Sequence, residues 1–242
     1  MKEIDRLLDK VERGINTEPT RDELGLWISE SNILNLIFEM QHHHLELIKR
    51  SENILKILCR SQIHLSSAQM ELIWGLIHRD DQTWKEIINV LTEVGVLLED
   101  YNKDFLVDKI LSDLSLINLP MMNLLKRFST NQKVEDFYWE VLRNVDSYSV
   151  EMLNFVFEQL SKQVKQASLK DKLHIIKKCI SLLKEDKAGI QIIKIIRSTF
   201  KDKLTISKLY ELQEDFWNSK TDLIEAFFIN FTSYMDLAHG IY

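Results

Sequence analysis

The sequence has few of the residues that build tight turns. Its 242 residues include only 6 Gly and 2 Pro, whereas these two residues make up about 12% of an average protein. A fold of many short strands needs Gly and Pro at its turns, so this scarcity excludes most all-β folds. Only two cysteines occur, Cys59 and Cys179. They cannot form a disulfide framework, which favours a reducing compartment.

Long apolar runs and an excess of positive charge are also absent. No uncharged apolar run reaches the roughly 18–20 residues that span a bilayer, and charges interrupt the first ten residues, MKEIDRLLDK, as they would not in a signal peptide. The net charge of −6 argues against a general nucleic-acid binder. A hydrophobic content of 45% excludes intrinsic disorder. We therefore expect no membrane or nucleic-acid partner and a cytoplasmic location, and leave a nuclear one open.

Apolar residues recur at helical spacing along most of the chain. One stripe contains Met70, Ile73, Trp74 and Ile77, and another contains Val150, Leu153, Phe157, Leu160 and Val164. Start signals precede several stripes: Ser66 with Gln69, Ser168 with Asp171, and Asn118 with Pro120. Helix breaks are expected near Ile63–Leu65, Arg79–Asp81, Tyr101–Asn102 and Ser129–Asn131, among others. This pattern predicts an all-α protein of about a dozen helices.

The predicted helices group into pairs. The pairs cover roughly residues 66–98, 103–128, 131–165, 168–200 and 204–238, a spacing close to that of helical repeats. Each pair has an apolar face that it cannot bury alone. We expect one α-solenoid of the armadillo or HEAT kind over residues 1–242, with a globular helical bundle as the alternative. The predicted last helix is too apolar for a capping repeat, with Leu223, Phe227 and Phe231 on one stripe, so we expect a segment of a longer chain.

Candidate catalytic and metal-binding residues are isolated. His42, His43 and His44 are consecutive, and adjacent helical side chains diverge by about 100°, so they do not form a tetrahedral site. Cys59 is a candidate nucleophile with His64 or His78 as its base. However, Cys59 and Cys179 both lie on apolar stripes, and burial on such a stripe raises the pKa of a thiol. No phosphate-binding glycine motif occurs. We predict no catalytic residue, no metal and no cofactor.

Positive charge is concentrated in the second half of the chain. Residues 162–208 contain 13 basic and 4 acidic residues, a net charge of +9. This run is explained either by a solvated helix face or by a docking surface for an acidic protein. Nucleic acid ranks lower because Phe200 is the single aromatic residue in the run. The predicted partner-binding face contains Lys177, Lys184, Lys187, Lys194 and Arg197.

Two segments carry a family signature. They are LWISESNILNLIFE, residues 26–39, and LSSAQMELIWGLIHRDDQTWKEIINVLTEVGVLL, residues 65–98. This part of the chain resembles the helical N-terminal region of large fat-facets-type ubiquitin-specific proteases. The matching elements are Trp27–Ile28, Asn32–Ile33–Leu34, Leu65–Ser66, Met70, Ile73–Trp74 and Asn89–Val90, with Phe137-Tyr138-Trp139 similar to a later aromatic helix. The chain departs from the family after its Ile-Trp helix, where His78-Arg79-Asp80-Asp81 replaces a Gly/Ser-Lys-His-Glu turn.

The resemblance implies a deubiquitinase parent, a thiol protease of the ubiquitin-conjugation pathway, with its catalytic domain elsewhere. The family's Cys and His boxes are absent from this sequence, so no catalytic residue is carried over. The segment would then be a scaffold that binds proteins such as ubiquitinated substrates or regulators. The alternatives are an unrelated helical-repeat adaptor, for transport or for a ubiquitin ligase, and a helical enzyme whose site has no known motif.

Overall fold

The computed structural model describes residues 21–39, 44–61, 63–114 and 117–185, together with residues 6, 10, 191, 192, 194 and 195. Within these residues every regular element is helical, which confirms the predicted all-α class. The histidines His42 and His43 and the apolar stripes predicted beyond residue 203 lie outside the described residues. No helix in the described part has the length and apolar character needed to cross a membrane.

The four described stretches contain ten α-helices. They are α1 (Arg21–Glu30), α2 (Ile33–Phe38), α3 (Leu45–Arg60), α4 (Ser67–Gly75), α5 (Asp81–Val94), α6 (Asp100–Ser112), α7 (Leu119–Arg127), α8 (Gln132–Arg143), α9 (Val150–Gln166) and α10 (Leu169–Lys184). Single 3₁₀ turns at Leu76–His78, Gly95–Leu97 and Val145–Ser147 follow α4, α5 and α8.

The chain divides into two compact units, residues 1–134 and residues 135–242. In the first unit, each helix packs on the helix two positions along the chain. Helices α1, α3, α5 and α7 form one series of neighbours, and α2, α4 and α6 form a second. Short loops connect the two series, so the described part of this unit is two layers of helices.

Ion pairs connect neighbouring helices within each layer of the first unit. They are Lys49–Glu86 between α3 and α5 at 3.8 Å, Glu93–Arg127 between α5 and α7 at 3.7 Å, and Glu71–Lys109 between α4 and α6 at 3.1 Å. Exposed pairs of this kind stabilise a protein by at most about 1 kcal/mol. They mark which turns of the two helices lie side by side.

The core of the first unit confirms the stripe predicted on α4. Met70, Ile73, Trp74 and Ile77 are all buried, and Trp74 is only 5% exposed. Trp27 on α1 differs, because 47% of its surface is exposed.

In the second unit, the described helices are the part of α8 from residue 135, then α9 and α10. The buried face of α9 contains Met152, Val156, Leu160 and Val164. The stripe predicted for this helix was therefore partly wrong, because Val150 is 68% exposed at the first position of the helix. Leu153 and Phe157 of the predicted stripe are also only partly buried, because the buried face follows the four-residue spacing from Met152 to Val164.

The predicted helix starts are confirmed. Ser66 and Gln69 form a reciprocal capping box at α4, and the Ser168 side chain accepts a hydrogen bond from the Asp171 N–H at α10. Asn118 accepts from the Met121 N–H at α7, where Pro120 lies in the first turn. These side chains satisfy N–H groups that have no partner within their helix.

One predicted break was wrong. The break expected at Tyr101–Asn102 lies inside α6, which begins at Asp100. The side chains of Tyr101 and Asn102 both donate hydrogen bonds to the Leu65 carbonyl, 36 and 37 residues earlier in the chain. Polar residues that resemble a loop in the sequence therefore attach this helix to the start of α4.

Candidate partner-binding surfaces

The predicted basic face is described in part. Lys177 on α10 and Lys194 are both exposed. The Lys194 ammonium lies 5.9 Å from the centre of the Phe157 ring on α9, within the range of a cation–π contact. Lys184 is the last residue of α10, and its side chain lies outside the described part of the structure, as do Lys187 and Arg197. The described part of the structure therefore contains the side chains of two of the five predicted residues, and the predicted face as a whole stays a prediction.

Lys178 carries part of the positive charge of this run, and α8 neutralises it. Its ammonium lies 3.2 Å from Oε1 of Glu135 and 3.3 Å from Oδ1 of Asp136. The same ammonium lies 5.7 Å from the centre of the Trp139 ring. Trp139 Nε1 donates to the same Glu135 Oε1, at 3.2 Å. Glu135 thus accepts from both groups and holds Lys178 against the indole.

A groove of about 310 Å³ lies between α8 and α10. Its walls are Asp136, Trp139, Glu140, Arg143, Lys178, Ser181 and Leu182. Ion pairs cross it, since Arg143 bonds both Glu140 and Glu185 at 3.1–3.2 Å. The charges of the groove are already matched within the protein, so it has little electrostatic preference for a ligand of either sign.

A second groove, of about 350 Å³, lies between α5 and α7 in the first unit. Its walls are Ile88, Asn89, Thr92, Pro120, Asn123, Lys126 and Arg127. Glu93 on α5 forms an ion pair with Arg127 on α7 at 3.7 Å. Asn89 lies four residues before Glu93, and Asn123 lies four residues before Arg127, so the two asparagines occupy corresponding positions one turn earlier. The two asparagines therefore lie side by side on adjacent helices.

The polar groups of this second groove are largely uncommitted. Within the part of the chain that the structure describes, the Asn89 and Asn123 amides and the Lys126 ammonium have no hydrogen-bond or ion-pair partner. The Thr92 hydroxyl donates to the Ile88 carbonyl at 2.7 Å, and Arg127 is paired with Glu93 at 3.7 Å. The groove thus presents two amides and two cations to solvent.

Cys59 lies within the electrostatic influence of Glu99 and lacks the properties of a nucleophile. His64 Nδ1 lies 3.2 Å from Oε1 of Glu99, and both side chains are about half exposed. The pKa of the Cys59 thiol is raised to about 11, mainly by burial and also by the Glu99 charge, while Arg60 opposes the shift. The thiol makes no hydrogen bond to His64 within the described structure. A catalytic thiolate needs a lowered pKa, so the environment of Cys59 acts in the opposite direction.

The other candidate chemical groups are similarly unsuited to catalysis. Cys179 is fully buried, and burial raises its pKa far above the ordinary thiol value. Among the described residues no group of three His, Cys, Asp or Glu side chains has an arrangement that could hold a metal ion. His44 precedes α3 in an extended conformation and makes no side-chain cap.

Three large apolar side chains on the first two helices are exposed. Leu26 and Trp27 on α1 are 48% and 47% exposed, and Leu36 on α2 is 60% exposed. Single exposed apolar residues are common on protein surfaces, whereas several on adjacent helices are typical of interaction sites.

Comparison with known proteins identifies no relative. No protein-family model matches the chain, and no curated protein is similar to it. The surfaces described above are therefore the basis for any functional conclusion.

Charge could be located from the sequence, whereas the grooves could not. A run of like charge is visible along the chain and points to its lysines. Asn89 belongs to the family resemblance alone, and Asn123 belongs to no sequence pattern. No local sequence pattern connects two asparagines that are 34 residues apart. The available indication that they are neighbours is that each follows an expected helix start and that the two helices belong to neighbouring predicted repeats.

Proposed function

We propose that the chain is a non-catalytic helical-repeat scaffold that binds other proteins. The observation that supports this most strongly is the packing of the first unit, where each helix contacts the helix two positions along the chain in two parallel series. Stacked helix pairs of the armadillo or HEAT kind pack in this way and present long surfaces made of equivalent helix faces. The α5–α7 groove and the exposed apolar residues of α1 and α2 are surfaces of this type.

The family resemblance extends this proposal to a parent protein. We propose that the scaffold belongs to a large fat-facets-type ubiquitin-specific protease whose cysteine domain is encoded elsewhere in the gene. The two thiols fit a non-catalytic segment, because both have raised pKa values. An adaptor with no enzymatic parent is the alternative, and it would share the same binding surfaces.

The solenoid arrangement is tested by solution scattering. A compact globular chain of 242 residues would have a radius of gyration of about 18 Å. Stacked helix pairs over the whole chain should give a clearly larger value with an elongated distance distribution. A value near 18 Å with a symmetric distribution would favour the globular bundle and overturn the solenoid.

The parent is tested at the level of the gene. The complete transcript should continue in frame into a domain with an Asn-Thr-Cys box and a Gly-His-Tyr box. A complete frame without these boxes would leave the adaptor as the function. On its own, the 242-residue chain should not hydrolyse a ubiquitin-based fluorogenic substrate; turnover that is lost on Cys59→Ala would contradict the non-catalytic role.

The basic run in the second unit is proposed to bind an acidic protein. The exposed lysines Lys177 and Lys194 are the described members of this face. Captured partners should be acidic, and their association rate should fall several-fold between about 50 and 300 mM salt, since the Debye length shrinks over that range. The Lys177→Glu/Lys194→Glu variant should lose them, while Lys85→Glu/Lys133→Glu, the same change of charge at two exposed positions of the first unit, should retain them.

A further inference from the structure

We propose that the groove between α5 and α7 binds an acidic segment of a partner protein in extended conformation. This inference rests on the proposed protein-binding role and assigns a site and a ligand chemistry to it. The site lies in the first unit, apart from the basic run of residues 162–208.

The lining of the groove indicates the kind of ligand. Pockets for small organic molecules are mostly apolar and enclosed, whereas this groove of about 350 Å³ has Asn89, Thr92, Asn123, Lys126 and Arg127 among its seven lining residues. A side-chain amide carries both a donor and an acceptor, as a peptide group does. Two uncommitted amides on neighbouring helices are therefore complementary to the backbone of an extended chain.

The spacing of the two amides suits an extended backbone. Neighbouring packed helices lie about 8–10 Å apart, and an extended chain advances about 3.3 Å per residue. Asn89 and Asn123 would therefore contact peptide groups about three residues apart in a segment that crosses from α5 to α7. A helical ligand would keep its own backbone groups bonded and leave both amides unused.

The charges of the groove select an acidic segment. Among the described residues, Lys126 has no partner, and the ion pair of Arg127 is a long 3.7 Å contact with Glu93. A carboxylate of the ligand would bond Lys126 and replace Glu93 as the partner of Arg127. The two oxygens of a carboxylate match the planar, two-donor geometry of the arginine side chain. Glu93 is then a competitor of the ligand, and its removal should strengthen binding.

The experiment uses the full 242-residue chain and a phage-displayed library of random ten-residue peptides. Selected peptides should be enriched in Asp and Glu. Synthetic fluorescent copies should bind the Asn89→Ala/Asn123→Ala variant at least tenfold more weakly, and Lys126→Glu likewise. The matched controls are Asn154→Ala and Lys133→Glu, exposed positions on α9 and α8, which should bind as the unaltered chain does.

A gain of affinity separates this proposal from a loss of folding. Glu93→Gln should tighten binding of the acidic peptides several-fold, because Arg127 is released to the ligand. The proposal is overturned if the library yields no binder, if the selected peptides are basic or apolar, or if binding is unchanged in the asparagine variant. It is also overturned if inorganic phosphate alone displaces the peptides at submillimolar concentration, which would indicate a simple anion site. Peptides that bind the chain but not this groove would leave the scaffold function standing.

Discussion

Gly25 of α1 lies against Ser61, the C-cap residue that follows α3, with no space for a side chain between them. A Cβ placed on Gly25 would lie 2.6 Å from Oγ and 2.8 Å from Cβ of Ser61. We expect Gly25→Ala to lower the free energy of unfolding by roughly 1–3 kcal/mol, because one of the two helices must move. Urea unfolding followed by circular dichroism measures the change.

Gly75 provides the matched control for this substitution. It lies at the end of α4 with φ −57°, and a Cβ there would meet nothing within 4 Å. Gly75→Ala should leave stability unchanged or raise it by up to about 1 kcal/mol. Adding Ser61→Gly to the Gly25→Ala variant should restore part of the loss. Equal effects of the two Gly→Ala changes would refute the close approach of α1 and α3.

Two tryptophans in the first unit allow a second comparison. Trp74 is 5% exposed in the core, and Trp27 is 47% exposed. Trp74→Ala should cost about 3–5 kcal/mol, whereas Trp27→Ala should cost less than about 1 kcal/mol. Thermal unfolding of the two variants distinguishes them, and a melting temperature unaffected by Trp74→Ala would show that this side chain is not part of the core.

Asp80 links stability to pH at the start of α5. Its carboxylate accepts hydrogen bonds from the Thr83 N–H and hydroxyl and from the Gln82 N–H. These bonds, with those from Thr83 contributing most, hold the pKa of Asp80 below its ordinary value of 3.8. The native state therefore binds a proton less readily than the unfolded state, and the stabilisation is present above about pH 4 and lost as the pH falls through the native pKa.

The measurement is urea unfolding at pH 7 and in a series down to pH 2.5. Asp80→Ala should be less stable than the unaltered chain at pH 7, and the difference should shrink as the pH falls below about 4. The neighbouring Asp81→Ala removes the same charge without removing the helix cap. If its difference from the unaltered chain shrinks to the same extent, the cap at Asp80 is not the cause.

The two cysteines should react slowly in the native protein. With a pKa of about 11, Cys59 has roughly 100-fold less thiolate at pH 8 than a free thiol of pKa 9. Iodoacetamide should therefore label it far more slowly in buffer than in urea. Glu99→Gln should accelerate labelling of Cys59 and leave Cys179 unaffected, since the Glu99 charge contributes only to the first shift. Rapid native labelling of Cys59 would contradict this description.

Local signals in the sequence predicted the helix starts, and tertiary contacts explain the errors. The caps at Ser66, Asn118 and Ser168 depend on residues two or three positions away, so they are visible in the sequence. Asn102 was assigned to a break because asparagine favours loops, yet its amide donates to the Leu65 carbonyl at 3.0 Å. A partner 37 residues away leaves no trace in the local pattern.

The candidate sites were less predictable than the helices for the same reason. The sign of the net charge in residues 162–208 can be counted in the sequence, whereas the availability of each charged group to a ligand depends on how the helices pack. Lys178 is neutralised by Glu135 and Asp136, more than 40 residues earlier. The α5–α7 groove likewise requires knowledge of which helices are neighbours, and helical periodicity contains no such information.

The packing of each helix on the one two positions earlier has a consequence for synthesis of the chain. When α3 leaves the ribosome, α1 is already available to pack against it, and α5 then packs on α3 in the same manner. No described helix of the first unit must wait for a distant later segment before it can bury its apolar face. Folding can therefore keep pace with translation from the amino terminus, and newly made apolar surface is exposed only until the next helix or two emerges.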